Sequence, residues 1–268
     1  MTIGVSTYSF FWQWHETAPE PLTLLQMIEK TASWEVRLLQ ICDYPLIEAL
    51  DDDQLQEVRD AAVRRHVDLE LGTRGVQPAH LETYLRLAQQ LGATLVRSMV
   101  RAEEAETAVD LLRRVIPAYE HAGVRLALET YEQVPTVRLL EIVRSVSSPS
   151  LGICLDPANC VAALETPRMT IDLVADSVLN LHVKDFAFTR QSGWVGFSLA
   201  GVPLGEGLLD LGYLMDRVRP DARGINQVIE HWLVWQGDSA TTRATEDEWT
   251  LHNLGVLRRL ATSTSAVP

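Results

Sequence analysis

With 268 residues, 47% hydrophobic and 22% charged, the chain has the composition of a globular protein with a sizeable core. Its 36 acidic residues outnumber 23 basic ones, and the formal net charge of −13 argues against a nucleic-acid partner, whose phosphates it would repel. No run approaches the roughly 18 apolar residues of a membrane span, and the opening MTIGVSTYSF has no signal-peptide features, so no membrane association and a cytoplasmic location are expected.

Short, branched apolar runs predict eight strands, over residues 3–7, 36–42, 67–71, 95–99, 124–129, 151–156, 178–183 and 227–230. Most start 27 to 33 residues after the one before, the size of one β–α unit, and the last interval is longer. The first strand leads into FFWQWHE, an aromatic loop that includes Trp14. Asp51, Asp52 and Asp53 put acids at the positive end of a helix striped by Leu55, Val58 and Ala62. Pro78 starts a helix that Gly92 ends, and another spans 103–122 with Gly123 as its C-cap. Pro135 and Pro167 each start a helix, and 246–261 closes the chain. The seventh strand leads into FAFTRQSGWVGFSLAGVPLGEG, a long glycine-containing stretch with Trp194 and Phe197.

Eight alternating units predict an α/β fold with one domain over 1–268, a single (β/α)8 TIM barrel across 1–262 with a frayed tail at 263–268. An open doubly wound sheet fits less well, because GVSTYS after the first strand is not G-x-G-x-x-G. The two unusual loops then emerge at the catalytic face, as an aromatic wall and a mobile lid over a small-molecule site. The alternative is that their aromatics pack on helices or on a second subunit, which makes a homodimer an expectation. Three cysteines, Cys42, Cys154 and Cys160, form no disulfide framework, and Cys42 and Cys154 read as core thiols.

Four apolar runs carry a metal-ligand residue at or near their C-terminal ends: Glu129, Asp156, His182 and Glu230. Singly each has a plainer reading: a surface carboxylate, a turn before Pro157, a satisfied core histidine, a partner for an arginine. Jointly they sit on neighbouring strands about 4.8 Å apart, at the end where parallel barrels place their sites. Three carboxylates and an imidazole suit one divalent ion, Mn²⁺ first, with Co²⁺, Mg²⁺ or Zn²⁺ as alternatives. Lys184 shares the facing of His182 and is expected to bind a substrate oxygen or donate a proton, unless it pairs with Asp185. Trp232 shares the facing of Glu230 and is placed to stack on a sugar. Glu206 either binds substrate or shapes its turn, and Arg97 and Gln40 point inward in one register of their strands.

LALETYE, GICLDPAN, NLHVKDF, PLGEG and VIEHW resemble the successive motifs of the xylose-isomerase-like TIM-barrel superfamily, and within it the sugar phosphate isomerase/epimerase group. That group contains ketose 3-epimerases, inosose isomerases and inosose dehydratases. The resemblance runs through nearly the whole chain and is specific from Glu129 onward. It implies one divalent metal on Glu129, Asp156, His182 and Glu230. Asn159 stands where many epimerases have a histidine, and Thr130 and Tyr131 replace the Asn-His that follows the strand-five glutamate in many members. Asn159 and Asp185 join Trp14, Trp232 and Glu206 as expected substrate contacts. The additional ligands of the three-zinc endonucleases in the superfamily are not evident.

The expected activity is isomerisation or epimerisation of a ketose or keto-polyol through an enediolate, with Glu129 and Glu230 as the acid–base pair. The first alternative is a lyase on the same scaffold, either a keto-polyol dehydratase or an enzyme eliminating the aglycone of a 3-keto-glycoside. A non-catalytic carbohydrate-binding barrel ranks last, because all four ligand types are present. With no glycine-rich phosphate cradle, an unphosphorylated carbohydrate is favoured.

Overall fold

The computed structural model describes residues 1–264, so the expected tail at 263–268 lies outside it except for two residues that end a helix. Ten strands are present among the described residues: β1 (Ile3–Ser6), β2 (Leu38–Cys42), β3 (Asp68–Gly72), β4 (Leu95–Ser98), β5 (Arg125–Glu129), β6 (Leu151–Leu155), β7 (Val178–Val183), β8 (Asp185–Arg190), β9 (Phe197–Val202) and β10 (Asn226–Ile229). Eight close into a parallel barrel in the order β1-β10-β7-β6-β5-β4-β3-β2, sealed by Val5 opposite Leu39. The fold is the TIM barrel that eight β–α units predict.

The helices are α1 (Phe11–Trp14), α2 (Leu24–Ser33), α3 (Asp52–Arg65), α4 (Pro78–Leu91), α5 (Ala108–Ala122), α6 (Thr136–Val146), α7 (Pro167–Val174), α8 (Leu211–Val218), α9 (Pro220–Arg223) and α10 (Ser239–Thr264). Asp51 caps α3, accepting from Gln54 N at 2.8 Å while Gln54 Oε1 accepts from Asp51 N at 3.0 Å. The helix expected from 103 starts at Ala108, because buried Glu104 accepts from the amides of Val76 and Arg101 and holds a separate turn. The closing helix begins earlier than 246, since Asp238 accepts from Thr241 N at 2.8 Å and caps it there.

Alternation along the strands splits the interior in two. Leu39, Ile41, Leu69, Leu71, Leu126, Leu128, Ile153 and Leu155 join the helices in the main core. Leu95, Ala127 and Cys154 form a small separate cluster, and buried Gln40, Glu70, Asn180 and His182 make another region polar. No helix among the described residues is long and apolar enough to cross a membrane.

The stretch after β7 corrects the expectation of an irregular lid. It is an antiparallel ribbon, β8 against β9, registered from Asp185 opposite Val202 to Arg190 opposite Phe197. Its outer end exposes Phe188, Trp194, Val195 and Phe197. Its root is anchored on the barrel, where Gly201 N donates to Trp232 O at 3.1 Å. A side chain at Gly201 would collide with that backbone, which explains a glycine within a strand.

Candidate active site and metal centre

The C-terminal ends of β5, β6, β7 and β10 bring Glu129, Asp156, His182 and Glu230 together, with one ligand atom from each lying within 4.8 Å of the others. All four are buried. His182 Nδ1 stands 3.2 Å from Glu129 Oε1, 3.5 Å from Glu230 Oε2 and 3.8 Å from Asp156 Oδ2. Ligands about 2.1 Å from a common ion are spaced by about 3.0–3.4 Å along polyhedron edges, so these separations match a shared cation. Glu129 Oε2 and Asp156 Oδ2 are buried yet accept no well-formed hydrogen bond. Their cationic neighbours, Arg97 Nε at 2.8 Å and Lys184 Nζ at 2.7 Å, approach at poor angles for one. Two buried carboxylate oxygens with a charged neighbour but no aligned hydrogen bond can turn to a cation, and the donor set fits a divalent metal.

Positive charge already surrounds the cluster. Lys184 Nζ also reaches Glu230 Oε2 at 3.0 Å, and Ser6 Oγ donates to Glu230 Oε1 at 3.0 Å. Burial would raise the Glu230 carboxyl, but His182, Lys184 and Arg97 more than offset that and bring it down to about 2. Glu129 is also lowered: burial opposes, and Arg97 and His182 prevail. Asp156 is pushed up to about 6 by burial, with Lys184 acting against the rise. The Lys184 ammonium is raised despite burial, by Asp156 and Glu230.

A cavity of about 320 Å³ opens over this cluster. Of the expected substrate contacts, Asn159 and Trp232 line it, as do Lys184, Glu129 and Glu230. Asn159 Nδ2 donates to Glu129 Oε1 at 2.9 Å, and Lys184 Nζ lies 4.7 Å from the centre of the Trp232 ring. Trp14 lines instead an adjoining aromatic cleft of about 820 Å³, its Nε1 donating to Thr7 O.

Asp185 corrects its expectation as a substrate contact, and it does not pair with Lys184. Its Oδ1 accepts from Phe186 N and Leu209 N, and its Oδ2 from Gly205 N and Gly207 N, all at 2.8–3.0 Å. A buried carboxylate with four amide donors has nothing left for a ligand. Glu206 is exposed in the turn that Asp185 holds and lines neither of these two cavities.

The residues that line both the small cavity and the aromatic cleft, Tyr8, Asp43 and Arg74, were not singled out from sequence. Asp43 follows β2 with a left-handed backbone (φ 47°), a conformation aspartate tolerates better than most residues. Its carboxylate binds Arg97, Arg74 and the Tyr8 hydroxyl, which hold it well below the usual range although burial opposes. An acidic residue just past an apolar strand was the available signal.

A profile of the family described as xylose isomerase-like TIM barrel matches residues 28–260. The chain is 48% identical over 261 residues, 96% of its length and 95% of the relative's, to the 3-oxo-isoapionate decarboxylase of Pectobacterium atrosepticum. Solved structures share the fold at low identity. D-psicose 3-epimerase from Clostridium cellulolyticum H10 superposes with a TM-score of 0.74 at 15% identity, covering 97% of this chain and 99% of that one. A xylose isomerase-like TIM barrel protein from Mycobacterium smegmatis in complex with magnesium gives 0.68 at 14% identity, covering 94% and 96%.

Proposed function

The chain belongs to the xylose isomerase-like TIM barrel family, and from that premise we propose that it is a divalent-metal-dependent decarboxylase of a small 3-oxo sugar acid. The observation that carries this reading is how its two glutamates are held. An epimerase needs carboxylates free to take and return a proton on carbon. Here Glu129 is engaged by Arg97 and Asn159, and Glu230 by Ser6 and Lys184. Loss of CO₂ from a 3-oxo acid breaks no C–H bond and needs no base. The reading therefore takes the lyase alternative over the isomerase expectation, though with a different bond cleaved from the two eliminations first considered. The activity of the Pectobacterium atrosepticum relative supports it.

Glu129, Asp156, His182 and Glu230 would hold the metal, which when bound supplies Lewis-acid polarisation of the substrate's ketone oxygen. As the bond to the carboxylate breaks, its electron pair moves toward that ketone and CO₂ departs. The carbon left behind then takes a proton, and we assign Lys184 as the donor, since its ammonium lines the cavity and stays protonated. Arg74, half exposed between the two cavities, is assigned to the substrate's negative charge, with Asp43 and Tyr8 orienting its guanidinium. Trp232 supplies an apolar face beside Lys184.

The test uses metal-loaded enzyme in D₂O with 3-oxo sugar acids, 3-oxo-isoapionate among them, carrying ¹³C in the carboxyl group. Release of ¹³CO₂ with one deuterium on the adjacent carbon supports the reading. No CO₂ from any acid, with deuterium exchange and epimer formation on ketoses, would return the protein to the isomerase class.

A further inference from the structure

Beneath the metal cluster lies a polar column, buried at Gln40, Glu70 and Asn180 and half-buried at Asn226. Glu70 on β3 is its anchor. Glu70 Oε2 accepts from Gln40 Nε2 at 2.9 Å and from Asn180 Nδ2 at 3.1 Å, and Glu70 Oε1 accepts from Asn226 Nδ2 at 2.8 Å. Asn180 Oδ1 accepts a second bond from Gln40 Nε2, at 3.0 Å. A carboxylate offers only acceptors, so each amide facing it must present its NH₂ group. Gln40 is thereby fixed end for end, and its Oε1 points away from Glu70 toward His182 Nε2, 2.7 Å distant.

From this geometry we infer that Gln40, oriented by Glu70, is a positioning residue that keeps the His182 proton on Nε2 and leaves the Nδ1 lone pair facing the carboxylate cluster. An amide oxygen at 2.7 Å requires an N–H opposite it, and the Cys42 thiol already supplies the other donor to the same oxygen at 2.9 Å. Reversing Gln40 would set its Oε1 against Glu70 Oε2 and Asn180 Oδ1, oxygen against oxygen, and leave Glu70 short of a donor. The unprotonated Nδ1 then faces oxygens of Glu129, Glu230 and Asp156, as donor atoms around one shared cation do. Metal-binding histidines are commonly oriented by a carboxylate acting directly on the second ring nitrogen. In this barrel the carboxylate acts one amide removed, which keeps a fourth negative charge out of the cluster. The inference rests on the proposed metal site, but not on the reaction assigned to it.

The experiment measures Mn²⁺ affinity by competition with a chelator for the wild type, Gln40→Leu, Glu70→Gln and the double variant, each confirmed folded by near-ultraviolet circular dichroism. Gln40→Leu is expected to bind about 10- to 100-fold more weakly. Glu70→Gln should bind more weakly too, and adding it to Gln40→Leu should cost nothing further. Wild-type affinity in Gln40→Leu, or losses that multiply in the double variant, would overturn the inference. A wild type that binds no Mn²⁺ would instead overturn the metal reading itself. Should Gln40→Leu not fold, ¹⁵N spectra of the histidine rings in the metal-free wild type decide. Above the titration of His182, its Nε2 must carry the proton, and a proton on Nδ1 refutes the inference.

Discussion

Glu246 provides a sharp test of the electrostatic reasoning, away from the metal. It lies on the first turns of α10, largely buried, and accepts from Trp12 N at 3.0 Å and Gln13 Nε2 at 3.1 Å, with Lys30 and Asp247 as its charged neighbours. Burial dominates and pushes its carboxyl up from 4.5 to about 8. The folded state therefore holds the proton more tightly than the unfolded chain does. The associated stability is complete below pH 4.5 and is lost as pH rises through 8. Between 4.5 and 7 the loss amounts to about 3 kcal/mol, at about 1.4 kcal/mol for each pH unit. Glu246→Gln removes that loss while keeping one acceptor for Trp12. Its Tm relative to wild type should rise between pH 4.5 and pH 7 by about 6–12 °C, at the 2–4 °C per kcal/mol of a chain this size. A rearranged Gln13 amide would add a constant offset at every pH, so the readout is the slope of the difference. Scanning calorimetry of both proteins at fixed metal concentration measures it, and the metal ligands' own titration cancels between them. A Tm difference flat across pH would refute the burial argument.

Metal removal should lower stability as well as activity. A ligand at one hundred times its Kd contributes about 2.7 kcal/mol, so exhaustive chelation should lower Tm by about 5–10 °C and Mn²⁺ should restore it; an unchanged Tm would mean that no ion occupies the cluster. Gly207→Ala places a Cβ against Asp185 Oδ1 and 2.5 Å from Phe186 O, and should cost about 2–3 kcal/mol in urea denaturation. A wild-type midpoint would show that the turn yields freely. Arg74→Ala should raise KM for an anionic substrate at least about tenfold with kcat nearly kept, as loss of a charged hydrogen bond predicts. An unaltered KM would remove Arg74 from substrate recognition.

The barrel was legible because its strands are almost wholly buried and therefore read as largely apolar runs such as LGICL and VLNLHV. The convergence of Glu129, Asp156, His182 and Glu230 was legible for the related reason that a polar residue closing such a run has little to do in a core. The ribbon β8–β9 was not, because FAFTRQ and FSLAGV are half exposed, lack strict alternation and flank glycines that suggest loop. Helix α2 went unnoticed between an aromatic loop and a strand, although Thr23 and Gln26 form a capping box. Gln40 and Glu70 sit inside apolar strands, where only the register shows that they face each other. The roles of Asp185 and Asn159 follow from backbone amides and side chains brought in by folding, which no spacing announces.

The four amides gathered by Asp185 have a consequence for how this barrel can vary. They fasten residue 209 beside residue 185, so the ribbon between them leaves and rejoins the barrel at one fixed point. Its outer turn, residues 191–196, can then lengthen or shorten without pulling on β7 or β10, which carry His182 and lead into Glu230. Doubling the length of such a loop costs only about 0.6 kcal/mol in closure entropy. Insertions and deletions at that turn are thus nearly neutral for the four clustered side chains, and the exposed end of the ribbon can vary in length and composition while the chemistry stays undisturbed.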